Sequence, residues 1–210
     1  MANQLSARLI IYLIFTTFFF QCKRDNGFER PREPYGVATL AEGGKLNMIV
    51  EIPAGTNDKF EYDSERRKFV HDTLPNGTKR RIQFLPYPGN YGFIPSTLMD
   101  KERGGDGDPL DVLVVGQHAP MGSLIAVEPI GALLLKDRGE LDTKIIAVPA
   151  DVNQRSLPAS TYMELLLEYP AAHRIIEEWF LNYKGPKQME LIRWEDETYA
   201  WDEINKWRTE

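Results

Sequence analysis

The sequence contains one cysteine, Cys22, and only three histidines among its 210 residues. A single cysteine excludes an internal disulfide framework and any zinc or iron–sulfur site that needs several cysteines. The histidines, His71, His118 and His173, are far apart in the sequence, and none forms an HExxH-type pair. Any metal ion that this protein binds must therefore be held by oxygen ligands.

Basic residues are in the minority, with 25 Lys and Arg against 31 Asp and Glu and a formal net charge of −6. This balance argues against a nucleic-acid-binding surface, which needs clustered positive charge to neutralise phosphates. Because 42% of the residues are apolar and 27% are charged, the composition is that of a globular chain and excludes wholesale disorder. The length suits one domain of ordinary size with an N-terminal addition.

A stretch at the N-terminus, residues 9–20, is apolar except for two threonines and follows Arg8 directly. It is too short to span a bilayer comfortably, which takes about 20 residues, but it has the length of the apolar region of a signal peptide. Cys22 follows where a lipoprotein would carry its acylated cysteine. We therefore expect residues 1–22 to be a signal peptide or lipoprotein-type segment. The alternative is an uncleaved signal anchor with an incidental cysteine.

This segment predicts export, to the periplasm or envelope, with attachment to a membrane through the segment itself or a lipid on Cys22. Residues 23–44 begin with a mixture of charged residues, proline and glycine without an apolar period, which is typical of a linker. The folded domain is expected over residues 45–210.

Short β-branched or aromatic runs, separated by Pro, Gly and Asn-Gly turn signals, predict strands over most of this domain. The predicted strands are 46–52, 60–63, 68–71, 81–85, 110–115, 124–132, 133–136 and 144–148. Helical periodicity is confined to the C-terminal part, over 162–169, 171–183 and 196–206. Many closely spaced strands followed by helices indicate an α+β domain with a β-barrel core and flanking C-terminal helices.

The segment 104–115, GGDGDPLDVLVV, places three aspartates within six residues among glycines and a proline: Asp106, Asp108 and Asp111. Three like charges repel each other unless a cation lies among them or one is protonated. Carboxylate oxygens suit Mg²⁺, and the apolar run that follows would anchor the loop to a strand. An EF-hand is excluded because Leu110 occupies the third ligand position. A haloacid-dehalogenase-like motif is disfavoured because Asp106 does not follow an apolar strand. A solvated acidic turn is the plain structural alternative.

Other polar groups stand near strand and helix ends, and each alone has a structural explanation. Glu51 lies in an apolar strand, while Lys59 and Glu61 share a strand face and could form a surface salt bridge. The remaining candidates are Tyr87 and Tyr91 in a Pro/Gly-rich loop, Asp137, Asp142 and Lys144 around a glycine turn, and Tyr183 and Lys184 at a helix end.

Together these segments resemble one family. The motifs VEIPAGTNDKFEYD, YPGNYGFIPSTL, GGDGDPLDVLV, D-x4-D-x-K, IIAVP and NYK follow one another over residues 45–194. The chain in this region resembles the soluble (family I) inorganic pyrophosphatases. The resemblance implies an OB-like five-stranded barrel and Mg²⁺-dependent hydrolysis of pyrophosphate to two phosphates by a metal-activated water. It also implies several Mg²⁺ ions per site, with Mn²⁺ or Zn²⁺ as possible substitutes, a homo-oligomer (often a hexamer in bacteria) and, for most of the family, a cytoplasmic location.

The resemblance also implies roles for individual residues. Those matching metal positions are Asp106, Asp111, Asp142, Asp137, Glu51 and Glu61. Asp108 would be the general base, and Tyr91, Lys144 and Arg81 would assist catalysis. Those matching phosphate contacts are Lys59, Arg81, Tyr91, Lys144, Tyr183 and Lys184, with Tyr87 in the adjoining shell.

The chain departs from the family pattern at two positions. Arg138 stands where bacterial members often have an acid, so that one metal contact is either missing or replaced by Glu140. The phosphate-binding arginine that precedes the tyrosine loop could be Arg80 or Arg81, and we favour Arg81 because it directly precedes the apolar Ile82.

Two other functions fit part of the pattern. One is a related phosphoanhydride hydrolase that acts on polyphosphate or nucleotides. The other is a Ca²⁺-binding, envelope-tethered barrel module that recognises a glycan or peptide, which leaves the lysines at 59, 144 and 184 unexplained.

Overall fold

Residues 27–209, the part of the chain that this computed structural model describes, contain eight β-strands and three α-helices. The predicted signal segment, 1–22, and the start of the predicted linker lie outside these residues. The strands are β1 Leu46–Ile52, β2 Phe60–Asp63, β3 Lys68–His71, β4 Asn90–Phe93, β5 Asp111–Val114, β6 Leu124–Asp137, β7 Glu140–Pro149 and β8 Met189–Glu195. The helices are α1 Tyr162–Glu168, α2 Pro170–Asn182 and α3 Glu197–Trp207. None of the helices within 27–209 combines the length and apolar character needed to cross a membrane.

Five strands close into a barrel in the order β1, β4, β5, β7 and β6, with β6 pairing back to β1. These pairings are antiparallel except that of β5 with β7, which is parallel. Strand β8 pairs with β6 outside the ring, and β2 and β3 form a separate two-stranded hairpin. The predicted OB-like five-stranded barrel with flanking C-terminal helices is confirmed, with β8 as an additional strand.

Both faces of the barrel strands are covered. Within β5, Val112 and Val114 pack in a cluster with residues of α3, whereas Leu113 packs with residues of α1 and α2. Burial on both faces explains the continuous apolar run of this strand. Each fully buried aliphatic side chain contributes about 1.5–3 kcal/mol, so these two layers hold the strand ends in fixed positions.

Three strand predictions differ from the structure. The predicted strands 124–132 and 133–136 are one strand, β6, whose pairing with β7 shifts register between Pro129 and Gly131. Residues 81–85 form no strand; there Arg81 makes one isolated bridge with Asp58. Strands β4 and β8 were not predicted. Strand β4 contains Gly92, where a Cβ would lie 1.9 Å from the carbonyl oxygen of Ile49, so glycine allows the close approach to β1.

Residues 27–44, which we call the N-terminal strap, lie against the barrel rather than forming a free linker. The Leu124 N–H donates to the carbonyl of Glu29 at 2.8 Å, and the Asn47 N–H donates to the carbonyl of Thr39 at 2.8 Å. Thr39 is fully buried, and its hydroxyl donates to the carbonyl of Pro95 at 3.0 Å. The folded unit therefore begins before the predicted boundary at residue 45.

Candidate metal and phosphate site

One cavity of about 280 Å³ collects most of the polar residues selected from the sequence. Eight carboxylates and three lysines line it, together with several aromatic residues. The carboxylates are Glu51, Glu61, Asp106, Asp108, Asp111, Asp137, Glu140 and Asp142, and the lysines are Lys59, Lys144 and Lys184. Tyr91 and Tyr183 also line it, so all predicted catalytic, metal and phosphate residues except Arg81 meet at this cavity.

The acidic loop before β5 owes its shape to two glycines. At Gly105 a Cβ would lie 2.2 Å from the carbonyl oxygen of Met99, and Gly107 has a φ of +93°. The loop then turns on itself, because the Asp108 N–H donates to Asp106 Oδ1 at 2.9 Å. Glycine at these two positions therefore allows Asp106 and Asp108 to reach the cavity from one short loop.

Burial and like charges raise the pKa of Asp108. Partial burial is the main cause, followed by the negative charges of Asp106 and Asp111 and then that of Glu61. The Asp108 carboxyl group therefore has a greater affinity for a proton than an ordinary surface aspartate.

The parallel pairing of β5 with β7 creates the centre of the site, because it places Asp111 opposite Lys144. The Lys144 ammonium group donates to Asp111 Oδ2 and lies 2.5 Å from Asp142 Oδ1. Burial alone would lower the pKa of Lys144, but the charges of Asp111 and Asp142 outweigh it and raise that pKa. Lys144 therefore remains a cation although it is only 3% exposed.

A tight turn between β6 and β7 brings further acids to the same wall. Arg138 and Gly139 form the turn with φ values of +53° and +94°, and Asp137 then pairs with Glu140. Because alternate residues share a strand face, Asp137, Glu140 and Asp142 lie on one face of this hairpin. Lys184, just beyond α2, donates from Nζ to Asp137 Oδ2 at 2.6 Å.

Arg138 itself is exposed and does not line the cavity, whereas Glu140 does. Position 138 thus carries no acid, but Glu140, two residues later, supplies a carboxylate to the cavity lining.

Glu51 is a buried acid on β1, with 8% of its surface exposed. Its Oε1 accepts a hydrogen bond from the Tyr62 N–H at 2.7 Å. Burial raises the pKa of Glu51 to about 8, with additional contributions from the charges of Asp111 and Glu61. Without a bound metal ion, this carboxyl group therefore favours its neutral form at neutral pH, even though Lys59 lowers its pKa.

Lys59 and Glu61 reach the cavity from the β2–β3 hairpin and contact each other. Lys59 also lies 3.3 Å from Asp72 Oδ2. Burial alone would lower the pKa of Lys59, but the charges of Glu61 and Asp72 outweigh it and raise that pKa. Lys59 is therefore positively charged at the edge of the cavity.

Arg81 does not enter the cavity. Its side chain is 64% exposed, and its Nε lies 3.8 Å from Asp58 Oδ1. Arg80 is less exposed, at 29%, and its Nη1 lies 3.1 Å from Asp72 Oδ2, the carboxylate that Lys59 also approaches. The structure thus does not support the preference for Arg81, and Arg80 is the arginine closer to the cavity edge.

A group of packed aromatic residues supports Tyr91 and Tyr183 in the cavity lining. Tyr87 packs against Tyr91 and Trp179 at ring-centroid distances of 5.4 and 4.4 Å, and Trp179 stacks on Tyr183 at 4.7 Å. Tyr87 is buried behind the cavity rather than in its wall. Burial raises the pKa of Tyr91 well above its ordinary value, so that its hydroxyl group stays protonated.

Divalent cations fit this set of residues. Among residues 27–209, no three Asp, Glu, His or Cys side chains stand close enough together to hold a metal ion as they lie. In the described part of the chain, the anionic donors that line the cavity are all carboxylate oxygens and outnumber the lysines, and Asp137 Oδ1 is buried without a hydrogen-bond partner. Mg²⁺ is usually held by one or two carboxylates plus water, an arrangement that suits carboxylates spread around a cavity.

Sequence reasoning missed Tyr35, Tyr62 and Phe93, which also line the cavity. Tyr35 belongs to the strap, where proline, glycine and mixed charges indicated a linker. An aromatic residue within such a segment was the one available signal, since aromatic side chains bury large areas when they pack.

Comparisons with known proteins agree with this geometry. A sequence model of the inorganic pyrophosphatase family matches residues 48–210. An inorganic pyrophosphatase of Synechocystis sp. is 37% identical over 160 residues, which is 74% of this chain and 85% of that protein. One of Sulfolobus acidocaldarius is 37% identical over 164 residues, which is 76% of this chain and 87% of that protein.

Solved structures show the same fold. The inorganic pyrophosphatase from Thermus thermophilus superposes with a TM-score of 0.70 at 27% identity, over 82% of this chain and 95% of that one. The type I inorganic pyrophosphatase from Toxoplasma gondii superposes with a TM-score of 0.75 at 27% identity, over 85% of this chain and 86% of that one. Both the sequence match and the architecture therefore lead to one assignment: this chain belongs to the family I inorganic pyrophosphatases.

Proposed function

We propose that this protein hydrolyses inorganic pyrophosphate to two phosphates with the help of Mg²⁺. The observation that carries the proposal is the cavity itself, in which eight carboxylates and three lysines meet in a chain of this family. Carboxylates suit divalent cations and lysines suit phosphate oxygens, so the lining matches a polyanionic substrate that arrives with metal ions.

The metal-binding role falls to the carboxylates on the cavity wall. These are Asp106, Asp111, Asp142, Asp137, Glu51 and Glu61, and Glu140 takes the place of an acid at position 138. Bound Mg²⁺ would offset the charge of pyrophosphate and make a water molecule more acidic. With an excess of negative charge in the metal-free cavity, its ionised carboxylates repel the free pyrophosphate anion, so metal binding is expected to precede substrate binding.

Asp108 is the proposed general base, which accepts a proton from the attacking water at its carboxylate group. Its raised pKa supports this role, because a base with a pKa nearer to neutral pH accepts a proton more readily during the reaction. Its position between Asp106 and Asp111, facing the cavity, places it beside the carboxylates proposed to hold the metal.

The lysines are proposed to bind phosphate oxygens and to stabilise charge on the leaving phosphate. Each of these lysines contacts a carboxylate of the cavity, so the ammonium groups of Lys59, Lys144 and Lys184 face the cavity in which pyrophosphate is proposed to bind. Tyr91 and Tyr183, which also line the cavity, are proposed to supply hydroxyl groups, and Arg80 is the proposed arginine at the edge near Lys59.

A phosphate-release assay tests the activity. Pyrophosphate, tripolyphosphate and ATP are each offered with Mg²⁺, Mn²⁺, Zn²⁺, Ca²⁺ or excess EDTA. We expect pyrophosphate with Mg²⁺ to be hydrolysed fastest and EDTA to abolish the reaction. Activity that persists in EDTA would exclude the metal-dependent mechanism, equal rates on the longer substrates would indicate a broader phosphoanhydride hydrolase, and Ca²⁺ binding without phosphate release would indicate a binding module.

Replacement of Asp108 by asparagine tests the proposed base. We expect Asp108→Asn to lower kcat by at least about 100-fold, since general base catalysis contributes on this scale, while Mg²⁺ affinity measured by calorimetry changes little. Asp100→Asn is the matched control, because Asp100 lies outside the cavity and caps a 3₁₀ turn at Lys101–Arg103. A wild-type rate in Asp108→Asn would refute the assignment.

We also infer membrane attachment through residues 1–22 and assembly as a homo-oligomer, a hexamer by family resemblance. The apolar run at 9–20 followed by Cys22 supports the first inference. Exposed apolar side chains on α1 and α2, namely Met163, Leu167 and Ile175, support the second. Mass spectrometry of the mature N-terminus tests the first inference, which an unprocessed cytosolic chain would exclude. Light scattering of the purified protein tests the second inference, which a monomer would exclude.

A further inference from the structure

Tyr35 is an aromatic residue of the cavity wall that lies before the residues matched by the family model, 48–210. It sits in the 3₁₀ turn Pro34–Gly36 of the N-terminal strap and is 37% exposed. Burial raises the pKa of Tyr35 to about 12, assisted by the charges of Glu51, Asp108 and Glu61. The hydroxyl group therefore stays protonated beside the acidic residues of the site and is able to donate a hydrogen bond.

The Tyr35 hydroxyl donates to the backbone carbonyl of Tyr62 at 3.3 Å. On the other side of the same residue, the Tyr62 N–H donates to Glu51 Oε1 at 2.7 Å. The Tyr35 ring also packs edge-on against Tyr62 and Phe93, with centroid distances of 5.2 and 4.9 Å. Tyr62 is thus held between the strap on one side and barrel strand β1 on the other.

This contact matters because Tyr62 directly follows Glu61 and lies three residues after Lys59. Among the strands of residues 27–209, the β2–β3 hairpin that carries these residues is a sheet of its own and shares no strand ladder with the barrel. Its position relative to the barrel therefore depends on side-chain contacts such as those of Tyr62 rather than on a continuous backbone ladder.

The strap itself is held firmly beneath Tyr35. The Ser96 hydroxyl lies 2.8 Å from the carbonyl oxygen of Val37 and 3.3 Å from that of Tyr35. Glu33 adds an ion pair to Arg67 in the turn of the β2–β3 hairpin, although both side chains are largely exposed, so this pair contributes little.

We propose that Tyr35 is a positioning residue for the reaction, which fixes the β2–β3 hairpin through Tyr62 so that Lys59 and Glu61 keep their places at the cavity. The proposal rests on the proposed function, because Lys59 and Glu61 are there assigned to substrate and metal binding. Asp108 and Lys144 lie on other elements, so a loss of the Tyr35 contact acts on binding more than on the proton transfer.

The test compares Tyr35→Phe, Tyr35→Ala and Tyr199→Phe in the full-length protein. Tyr35→Phe keeps the ring contacts and removes the hydrogen bond. Tyr199→Phe is the matched control, because it removes the hydroxyl of a partly buried tyrosine on α3 outside the cavity. Loss of one hydrogen bond predicts that Tyr35→Phe raises both the KM for pyrophosphate and the Mg²⁺ concentration for half-maximal activity by about threefold to tenfold. We expect kcat to change less than about twofold and Tyr35→Ala to show a larger defect.

Amide hydrogen exchange gives a readout that does not depend on activity. We expect Tyr35→Phe to accelerate exchange in residues 60–71 and to leave Asp111–Val114 unchanged. Unchanged exchange there, kinetic constants equal to those of Tyr199→Phe, or a fall in kcat at constant KM would each overturn the proposal. Absence of pyrophosphate hydrolysis by the wild-type protein would instead refute the proposed function, while the exchange measurement would still test whether Tyr35 fixes the β2–β3 hairpin. If Tyr35→Ala fails to fold, the comparison of Tyr35→Phe with Tyr199→Phe decides alone.

Discussion

Lys144 is nearly inaccessible to water, yet its ammonium group contacts Asp111 and Asp142 within the barrel wall. A buried cation is tolerated because both partners are close and charged. The same two carboxylates are proposed metal ligands. When no metal is bound, the positive charge of Lys144 offsets the repulsion between them. The stability of the fold and the binding of metal therefore depend on the same three charged side chains, Lys144, Asp111 and Asp142.

Replacement of Lys144 by methionine tests this arrangement. Methionine keeps an unbranched apolar stem but leaves two carboxylates facing each other. Because Asp111 keeps 30% of its side chain exposed, we expect a loss of about 2–3 kcal/mol in the free energy of unfolding, below the usual cost of breaking a fully buried pair. Urea unfolding in EDTA measures it.

Lys45→Met is the control for this experiment. Lys45 pairs with Glu128 at the surface with 46% of its side chain exposed, so we expect a loss below about 1 kcal/mol. Equal losses of unfolding free energy in the two variants would show that burial does not make the ion pairs of Lys144 more stabilising than a surface ion pair.

At the same scale, two groups of residues show what sequence alone could and could not reveal. The aspartates of the 104–115 segment were predictable, because clustered carboxylates among glycines are rare outside ligand sites. The choice between Arg80 and Arg81 was not predictable, because it depends on which side chain turns towards Asp72. Arg81 forms a backbone bridge with Asp58, whereas the side chain of Arg80 reaches Asp72.

Among the elements, helix α2 is attached to β8 through His173. The His173 ring lies 4.2 Å from the Trp194 ring, and its Nε2 lies 3.5 Å from the Tyr162 hydroxyl group. Burial lowers the pKa of His173, and the charge of Glu177 offsets only part of this effect. The unfolded chain therefore binds a proton at pH values at which folded His173 is still neutral.

This difference predicts a loss of stability in acid. With the folded pKa below the ordinary value of 6.5, the contribution is complete above that pH and is lost as the pH falls towards the folded pKa. We expect the free energy of unfolding, from urea titrations at pH 7.5 and 5.5, to fall more in the wild type than in His173→Phe, which keeps the ring stack. His118→Asn, at an exposed position, serves as control; the same pH dependence in His173→Phe and the wild type would contradict the prediction.

Most elements followed from local patterns, and the exceptions have physical reasons. The apolar spacing of Ile176, Trp179 and Phe180 predicted α2, and the short apolar, β-branched run of β1 predicted a strand. Strand β4 was missed because Gly92 is a poor strand former that serves a close approach to β1. Residues 81–85 look like a strand, but Phe84 and Leu85 are 40% and 63% exposed and have no strand-pairing partner within residues 27–209. Such outcomes depend on neighbours that are distant in the sequence.

For the whole molecule, the excess of carboxylates at one cavity links stability to metal concentration. A cation that binds the folded state and not the unfolded chain stabilises the fold by about 2.7 kcal/mol at 100 times its dissociation constant. We therefore expect the midpoint of thermal unfolding to rise by several degrees from EDTA to saturating Mg²⁺. Scanning calorimetry with sodium chloride at equal ionic strength is the comparison, and an equal rise with sodium would show general screening instead of a specific site.

The way in which the barrel closes has a consequence for the timing of activity during synthesis. The ring closes only when β1 pairs with β6, through partners such as Leu46 and Val127, and the last lysine of the cavity, Lys184, comes after α2. A nascent chain that has not yet emerged past this point cannot assemble the lining of the cavity. We therefore expect the enzyme to be inactive on the ribosome and to become active only late in synthesis, when nearly the whole chain is available.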